Sequence, residues 1–125
     1  MARVMEGDET LAEVRAEGTT TRYRRAGSGS PVLLLCDPAD ARYWTVLQRL
    51  AEGRCVIAPE GAESAQDAWL RLERLTAFLD GLGLGAVAVV GLGRAAGPAA
   101  ALARLHPDRV DRLVLLGEEN GDAAG

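Results

Sequence analysis

The chain has 125 residues, 48% of them hydrophobic, with 14 basic and 18 acidic side chains and a formal net charge of -4. This size and composition predict one folded domain over residues 1–125, with flexible ends at 1–9 and 118–125. The acidic balance argues against nucleic acid or an anionic membrane as a partner. No apolar run approaches the roughly 20 residues of a membrane span, and the N-terminus lacks a secretory apolar core, which together predict a cytoplasmic protein.

The first strands of the chain form a predicted hairpin. Residues 10–16 and 19–26 both show strand-like composition, and they are joined at Glu17 and Gly18. Glycine suits this position because it adopts the positive φ that a tight hairpin turn requires.

Short apolar runs and helical segments alternate along the rest of the chain. Each run is typical of a strand buried on both faces. The runs are PVLLLC (31–36), RCVIAP (54–59), AVAVVG (86–91) and DRLVLLG (111–117). The helical segments between them are predicted to begin at Asp40 as an N-cap, at Ser64 with a capping pattern to Asp67, and at Ala95. This alternation predicts an α/β fold with a mostly parallel sheet of about six strands flanked by helices.

The two cysteines are predicted to be reduced, buried thiols rather than a disulfide. Cys36 ends one predicted strand and Cys55 begins its parallel neighbour. Opposite ends of such strands lie farther apart than the ~7 Å limit between the Cα atoms of a disulfide.

Four stretches resemble, in order, the N-terminal part of the α/β-hydrolase family. YRRAGSGSPVLLL is similar to the family's second strand, loop and third strand, and YWTVLQRLAEGRCVIAPE to its first helix and fourth strand. LDGLGLGAVAVVG resembles the approach to the nucleophile strand, and ARLHPDRVDRLVLLG resembles the helix and strand that follow it. The resemblance covers about Thr20 to Gly117 and implies a truncated α/β-hydrolase-like fold. It also implies that the family's catalytic acid and histidine belong to later strands, which this chain does not contain.

The residues that match the family's G-x-S-x-G nucleophile elbow form a degenerate version of it. They are Gly91, Leu92, Gly93, Arg94 and Ala95. Gly93 occupies the place of the nucleophilic serine, and a glycine has no side chain that could attack a substrate.

No other residue is an obvious replacement for the family's nucleophile, base or oxyanion-hole donors. Cys36 and Asp37 stand where the family has an oxyanion-hole motif, and a carboxylate there would repel a developing oxyanion. Glu60 follows the fourth strand, at the edge of the sheet where ligands bind in such folds. The weak candidates for catalysis are therefore the residues at the ends of the third and fourth strands: Cys36, Asp37 and Glu60. The chain's one histidine, His106, lies about 18 Å from the elbow along the following helix, too far for proton transfer.

The same turn also fits a phosphate-binding pattern. GLGRAA, residues 91–96, matches G-x-G-x-x-G/A, follows a strand and opens a helix. An acidic residue, Glu118, follows at about the expected distance of 20 residues. Gly91, Gly93, Arg94 and Glu118 are therefore a possible anion-binding set.

Three interpretations remain open. The first is a non-catalytic pseudo-hydrolase that binds a partner chain or a small ligand. The second is an atypical or partner-completed hydrolase of the α/β-hydrolase superfamily acting on an ester-like or acyl substrate, and the third is a dinucleotide-binding domain. The pseudo-hydrolase interpretation predicts neither a metal nor a cofactor. The strand at Arg112–Gly117 is expected to form an open sheet edge, which predicts a homodimer or a partner chain.

Overall fold

The strands and helices follow the predicted alternation. The computed structural model describes residues 10–16, 18–60 and 68–117. In this part of the chain the strands are β1 (Thr10–Ala16), β2 (Thr19–Ala26), β3 (Ser30–Leu35), β4 (Arg54–Pro59), β5 (Val87–Leu92) and β6 (Val110–Leu116), and the helices are α1 (Tyr43–Leu50), α2 (Ala68–Gly81) and α3 (Ala96–Leu105). The predicted flexible ends and the capping pattern at Ser64 and Asp67 lie outside the described residues.

The six strands form one mixed sheet in the order β1-β2-β4-β3-β5-β6. Parallel pairing joins β4, β3, β5 and β6, whereas β2 runs antiparallel to both β1 and β4. The predicted α/β class with a mostly parallel sheet is therefore confirmed. Because the carboxyl ends of parallel strands meet at one edge of the sheet, the loops that follow β3, β4 and β5 lie along the same side.

Helices cover both faces of the sheet. One face, the α2–α3 face, packs residues such as Leu35, Phe78 and Leu102 into one buried cluster. The other, the α1 face, packs Leu34 and Leu47 into a second cluster. Burial on both faces explains why β3, β4 and β5 read as continuous apolar runs rather than alternating ones.

The cysteines lie in different clusters. Cys36 is buried on the α1 face and Cys55 on the α2–α3 face, and neither is in a disulfide. The sheet thus separates them, which confirms that they do not form a disulfide. The Cys55 sulfur accepts a hydrogen bond from Arg25 Nε at 3.3 Å, and this contact raises the pKa of Arg25.

The start of α1 differs from the prediction. Helix α1 begins at Tyr43 with Arg42 as its N-cap residue, so the assignment of Asp40 as the N-cap is wrong. Asp40 Oδ1 instead accepts the backbone N–H of Arg42 at 2.9 Å, two residues further along the chain. An aspartate that makes this local turn keeps its carboxylate in the loop rather than at the helix end.

Arg109 anchors the entry to β6. Its Nη2 donates to the carbonyl of Leu84 at 2.9 Å and its Nε donates to the carbonyl of Gly85 at 3.0 Å. The same Nη2 lies 2.9 Å from Asp80 Oδ1. Because these partners belong to the end of α2 and the loop before β5, Arg109 fixes where the last strand enters the sheet.

Candidate functional site

The turn between β5 and α3 has the backbone of a nucleophile elbow. β5 ends at Leu92, a 3-10 turn follows at Gly93–Ala95, and α3 begins at Ala96. Gly93 has φ +58, in the left-handed region that glycine occupies without side-chain strain. The family's elbow places its nucleophile on such a sharp strand-to-helix turn. This chain therefore has the turn, with glycine at the position from which a nucleophile would project.

Gly91 allows α3 to lie close against β5. A Cβ atom at this position would lie 2.6 Å from the Cβ of Ala99 and 3.1 Å from the carbonyl oxygen of Ala95. Contacts this short would force the helix away from the strand. The role of Gly91 is therefore to bring the start of α3 onto the sheet, which sets the sharpness of the turn at Gly93.

The loop that follows β3 reaches over this turn, because β3 and β5 are neighbours in the sheet. A Cβ atom at position 93 would lie 3.2 Å from Asp40 Oδ2 and 3.6 Å from Arg42 Nη2. An acidic and a basic side chain thus border position 93. This pair is not among the site residues predicted from the sequence. Its only signal was an aspartate two residues before an arginine in the loop after an apolar strand.

Asp40 and Arg42 form a bidentate ion pair. Arg42 Nη2 donates to Asp40 Oδ2 at 2.8 Å and Arg42 Nε donates to Asp40 Oδ1 at 3.0 Å. The side chains are only 11% exposed for Asp40 and 27% exposed for Arg42. The hydrogen bonds from the Arg42 side chain lower the pKa of Asp40 below its ordinary value, although partial burial acts in the opposite direction. The carboxylate beside Gly93 is therefore ionised at neutral pH.

Cys36 and Asp37 make contacts within the loop itself. The buried Cys36 thiol donates to the carbonyl of Asp37 at 3.3 Å. Asp37 Oδ1 accepts the N–H of Ala39 at 2.9 Å, and the Asp37 carbonyl accepts the N–H of Asp40 at 2.9 Å. These bonds fix the conformation of the loop that places Asp40 beside Gly93. A catalytic role for Cys36 or Asp37 stays a prediction.

Two other residues considered from the sequence lie away from the elbow. Glu60 belongs to the β2 side: its N–H donates to the carbonyl of Arg22 at 2.9 Å, and its Oε1 lies 4.0 Å from Arg22 Nε. β3 stands between β4 and β5, so the strand ends at Glu60 and Gly93 are about 10 Å apart. His106 follows the last residue of α3, about 15 Å along the ten-residue helix from the turn.

The anion-binding interpretation stays a prediction. Gly93 and the exposed Arg94 lie on the turn and Gly91 lies near the end of β5, whereas Glu118 lies outside the described residues. Among the residues that are described, no group of three or more His, Cys, Asp or Glu side chains is placed to hold a metal ion. In that same part of the chain, no helix combines the length and the apolar character needed to span a bilayer.

A shallow cleft of about 300 Å³ lies away from the elbow, on the β1–β2 side of the sheet. It is lined by Thr10, Ala12, Tyr23, Arg25, Ala26 and Gly27.

Comparisons with known proteins agree with this geometry. No family model matches the sequence. The chain is 32% identical over 121 residues to a 2-hydroxymuconate semialdehyde hydrolase from Pseudomonas sp. (strain CF600), a match that covers 84% of this chain and 42% of that protein. A solved serine hydrolase involved in carbazole degradation is similar at 26% identity and a TM-score of 0.72, with 86% of this chain and 47% of that one covered. A solved epoxide hydrolase is similar at 27% identity and a TM-score of 0.70, with 86% and 41% covered.

The chain spans less than half the length of these relatives. Within that span, the mostly parallel sheet, the helices on its two faces and the sharp turn after β5 all correspond to the resemblance first seen in the sequence. The chain therefore carries part of the α/β-hydrolase fold, and the relatives that it matches are hydrolases of that family.

Proposed function

We propose that this chain is a non-hydrolytic member of the α/β-hydrolase family that binds a small ligand at the elbow. The observation that carries the proposal is Gly93, which has the left-handed backbone of an elbow residue and no side chain. Covalent catalysis by the family's route requires an attacking oxygen or sulfur at that position. Without it, the turn can position a ligand but cannot form an acyl-enzyme.

The ion pair beside Gly93 is a poor substitute for a nucleophile and base. Both oxygens of Asp40 accept hydrogen bonds from Arg42, and the lowered pKa of Asp40 makes it a weak proton acceptor. An ionised carboxylate also has no hydrogen to donate to a substrate oxygen on which negative charge develops during acyl transfer.

Binding is the property that this arrangement supports. The glycine lets a ligand group approach the turn, and the partly exposed guanidinium of Arg42 is held in a fixed orientation by Asp40. A guanidinium held in this way recognises carboxylate or other anionic groups with defined geometry. The proposed ligand is therefore a small molecule with an anionic or strongly polar group.

The test compares hydrolysis by the wild-type protein, Gly93→Ser and the double variant Gly93→Ser/Asp40→Asn. The substrates are p-nitrophenyl acetate and 2-hydroxymuconate semialdehyde, the compound for which the Pseudomonas relative is named. We expect no turnover above a heat-inactivated control in any of the three, because a serine at position 93 would meet Asp40 and Arg42 rather than an imidazole. Turnover by the wild-type protein would overturn the proposal.

A ligand test accompanies the hydrolysis test. 2-Hydroxymuconate semialdehyde at millimolar concentration should raise the melting temperature of the wild-type protein through mass action, and Arg42→Ala should remove the shift. Arg112→Ala, which changes an exposed arginine on β6, is the matched control and should keep it. An equal shift in all three proteins would contradict ligand binding at the elbow.

A second candidate is an enzyme whose reacting group lies outside the elbow, and the 32% identity to a hydrolase favours it. Cys36 is the candidate nucleophile on this chain, and a partner polypeptide would supply the base that a thiol requires. A burst of nitrophenol from the wild-type protein that disappears in Cys36→Ala, and not in Cys55→Ala, would support this candidate over the first.

A further inference from the structure

β6 exposes apolar side chains on both faces of the sheet. The exposed fractions are 36% for Leu113, 48% for Val114, 44% for Leu115 and 39% for Leu116. Register with β5 places Leu113 and Leu115 on the α2–α3 face and Val114 and Leu116 on the α1 face. An apolar pattern on both faces is typical of a strand inside a parallel sheet. In the described part of the chain, however, β6 is an edge strand, paired on one side only.

The two edge strands of the sheet are protected to different degrees. On β1, the exposed side chains include the charged residues Glu13 and Arg15, which discourage pairing with another strand. On β6, the charges at Asp111 and Arg112 lie at the beginning of the strand, and the stretch from Leu113 to Leu116 has neither a charge nor a proline. The β6 edge is therefore the one at which another strand can pair.

We propose that β6 pairs with β6 of a second copy of this chain, antiparallel, about a two-fold axis at Val114. This register places Val114 opposite Val114 and Leu113 opposite Leu115 of the partner. It also places Arg112 opposite Leu116 and Asp111 opposite Gly117.

The distribution of charge selects this partner and this orientation. The charged beginning of β6 meets the uncharged end of the other β6, so no like charges lie opposite each other. A parallel arrangement in register would set Asp111 against Asp111 and Arg112 against Arg112, which is unfavourable across strands. A two-fold axis also brings the same surface of both copies together, so the interface closes at two chains.

The size of the exposed surface sets the strength of the association. Four side chains that are a third to a half exposed offer less than half of the about 800 Å² that each partner buries in a standard interface. The ladder of backbone hydrogen bonds adds to this small apolar contact. We therefore expect a dissociation constant of about 10–100 µM.

Sedimentation over about 5–500 µM tests the proposal, because the expected dissociation constant lies inside that range. The wild-type protein should change from a 13.2 kDa monomer to a dimer. Val114→Glu should raise the dissociation constant at least about tenfold, because two carboxylates would face each other at the axis. The matched control is Leu11→Glu on β1, where the leucine is 54% exposed, and it should dimerise like the wild type. Circular dichroism confirms that both variants stay folded.

A cross-link tests the register. Residues opposite each other in antiparallel strands have Cα atoms about 4.5–5.5 Å apart, within reach of a disulfide. Val114→Cys should therefore form a disulfide-linked dimer under mild oxidation, whereas Leu11→Cys should stay monomeric. Cys36 and Cys55 are buried and do not compete. A wild-type monomer at about 500 µM, loss of the dimer in Leu11→Glu, or no cross-link in Val114→Cys would each overturn the proposal.

Discussion

β3 and β6 are nearly the same in composition and opposite in environment. β3 ends in PVLLL and β6 in RLVLL, and both are parallel to β5, on its two sides. From Val32 to Leu35, the side chains of β3 are at most 2% exposed, whereas the last four side chains of β6 are at least 36% exposed. The apolar pattern shows what each strand can bury, and the position in the sheet decides what is buried.

The two strands therefore contribute differently to the molecule. Because β3 lies between β4 and β5 with helices on both faces, its side chains belong to the core, and the loop after it carries Asp40 to the elbow. Because β6 pairs with a strand on one side only within the part of residues 10–117 that the structure describes, its side chains form a surface there. Stability and the candidate site depend on β3, and the proposed association depends on β6.

The largest contrast is expected from truncating matched leucines. Leu34→Ala should lower the free energy of unfolding by about 2–5 kcal/mol, because the side chain is fully buried and its removal leaves a cavity. Leu115→Ala should cost less than about 1 kcal/mol in dilute protein, because the side chain is already 44% exposed. Urea unfolding at a concentration below the association range measures both. Equal losses would show that β6 is buried in solution.

A second contrast concerns β5, which separates β3 from β6. Gly91→Ala should destabilise the protein by about 1–3 kcal/mol, because the new methyl group would lie 2.6 Å from the Cβ of Ala99. Gly97→Ala is the matched control on α3: no atom lies within 4 Å of its added Cβ, so the variant should be neutral or up to about 1 kcal/mol more stable. Thermal unfolding measures the stability of both variants. An unchanged stability in Gly91→Ala would mean that α3 can move away from β5 without loss of free energy.

The smallest effect is expected from the charge in the loop after β3. Asp40→Asn should lower the free energy of unfolding by about 1 kcal/mol at pH 7, because it removes the ionic part of the pair with Arg42. The pKa of Asp40 is lowered in the folded protein, so this contribution is complete above the ordinary carboxyl pKa of about 3.9 and is lost as the pH falls through the lower folded-state pKa.

Urea unfolding at several pH values provides the measurement. The difference between the wild type and Asp40→Asn should shrink below about pH 4. Asp111→Asn, which changes an exposed carboxylate on β6, should match the wild type throughout. A difference for Asp40→Asn that is the same at pH 7 and at about pH 2.5 would contradict the ionic origin of the effect.

Local features of this protein were readable from the sequence. RCVIAP predicted β4 without error, and the glycine at position 93 marked the sharp turn after β5. The separation of Cys36 from Cys55 followed in the same way from strand ends. Such features depend on residues close together in the chain, where apolar runs, glycine conformation and helix spacing act directly.

Long-range features were decided only by the tertiary structure. The prediction of Asp40 as an N-cap used local spacing, but the strand order that sets β3 beside β5 gives its carboxylate a place at Gly93. The exposed surface of β6 likewise depends on which strand lies beside it, not on its own residues. The physical reason is that backbone pairing between strands joins distant segments, and the same apolar sequence is core or surface according to the neighbours that this pairing provides.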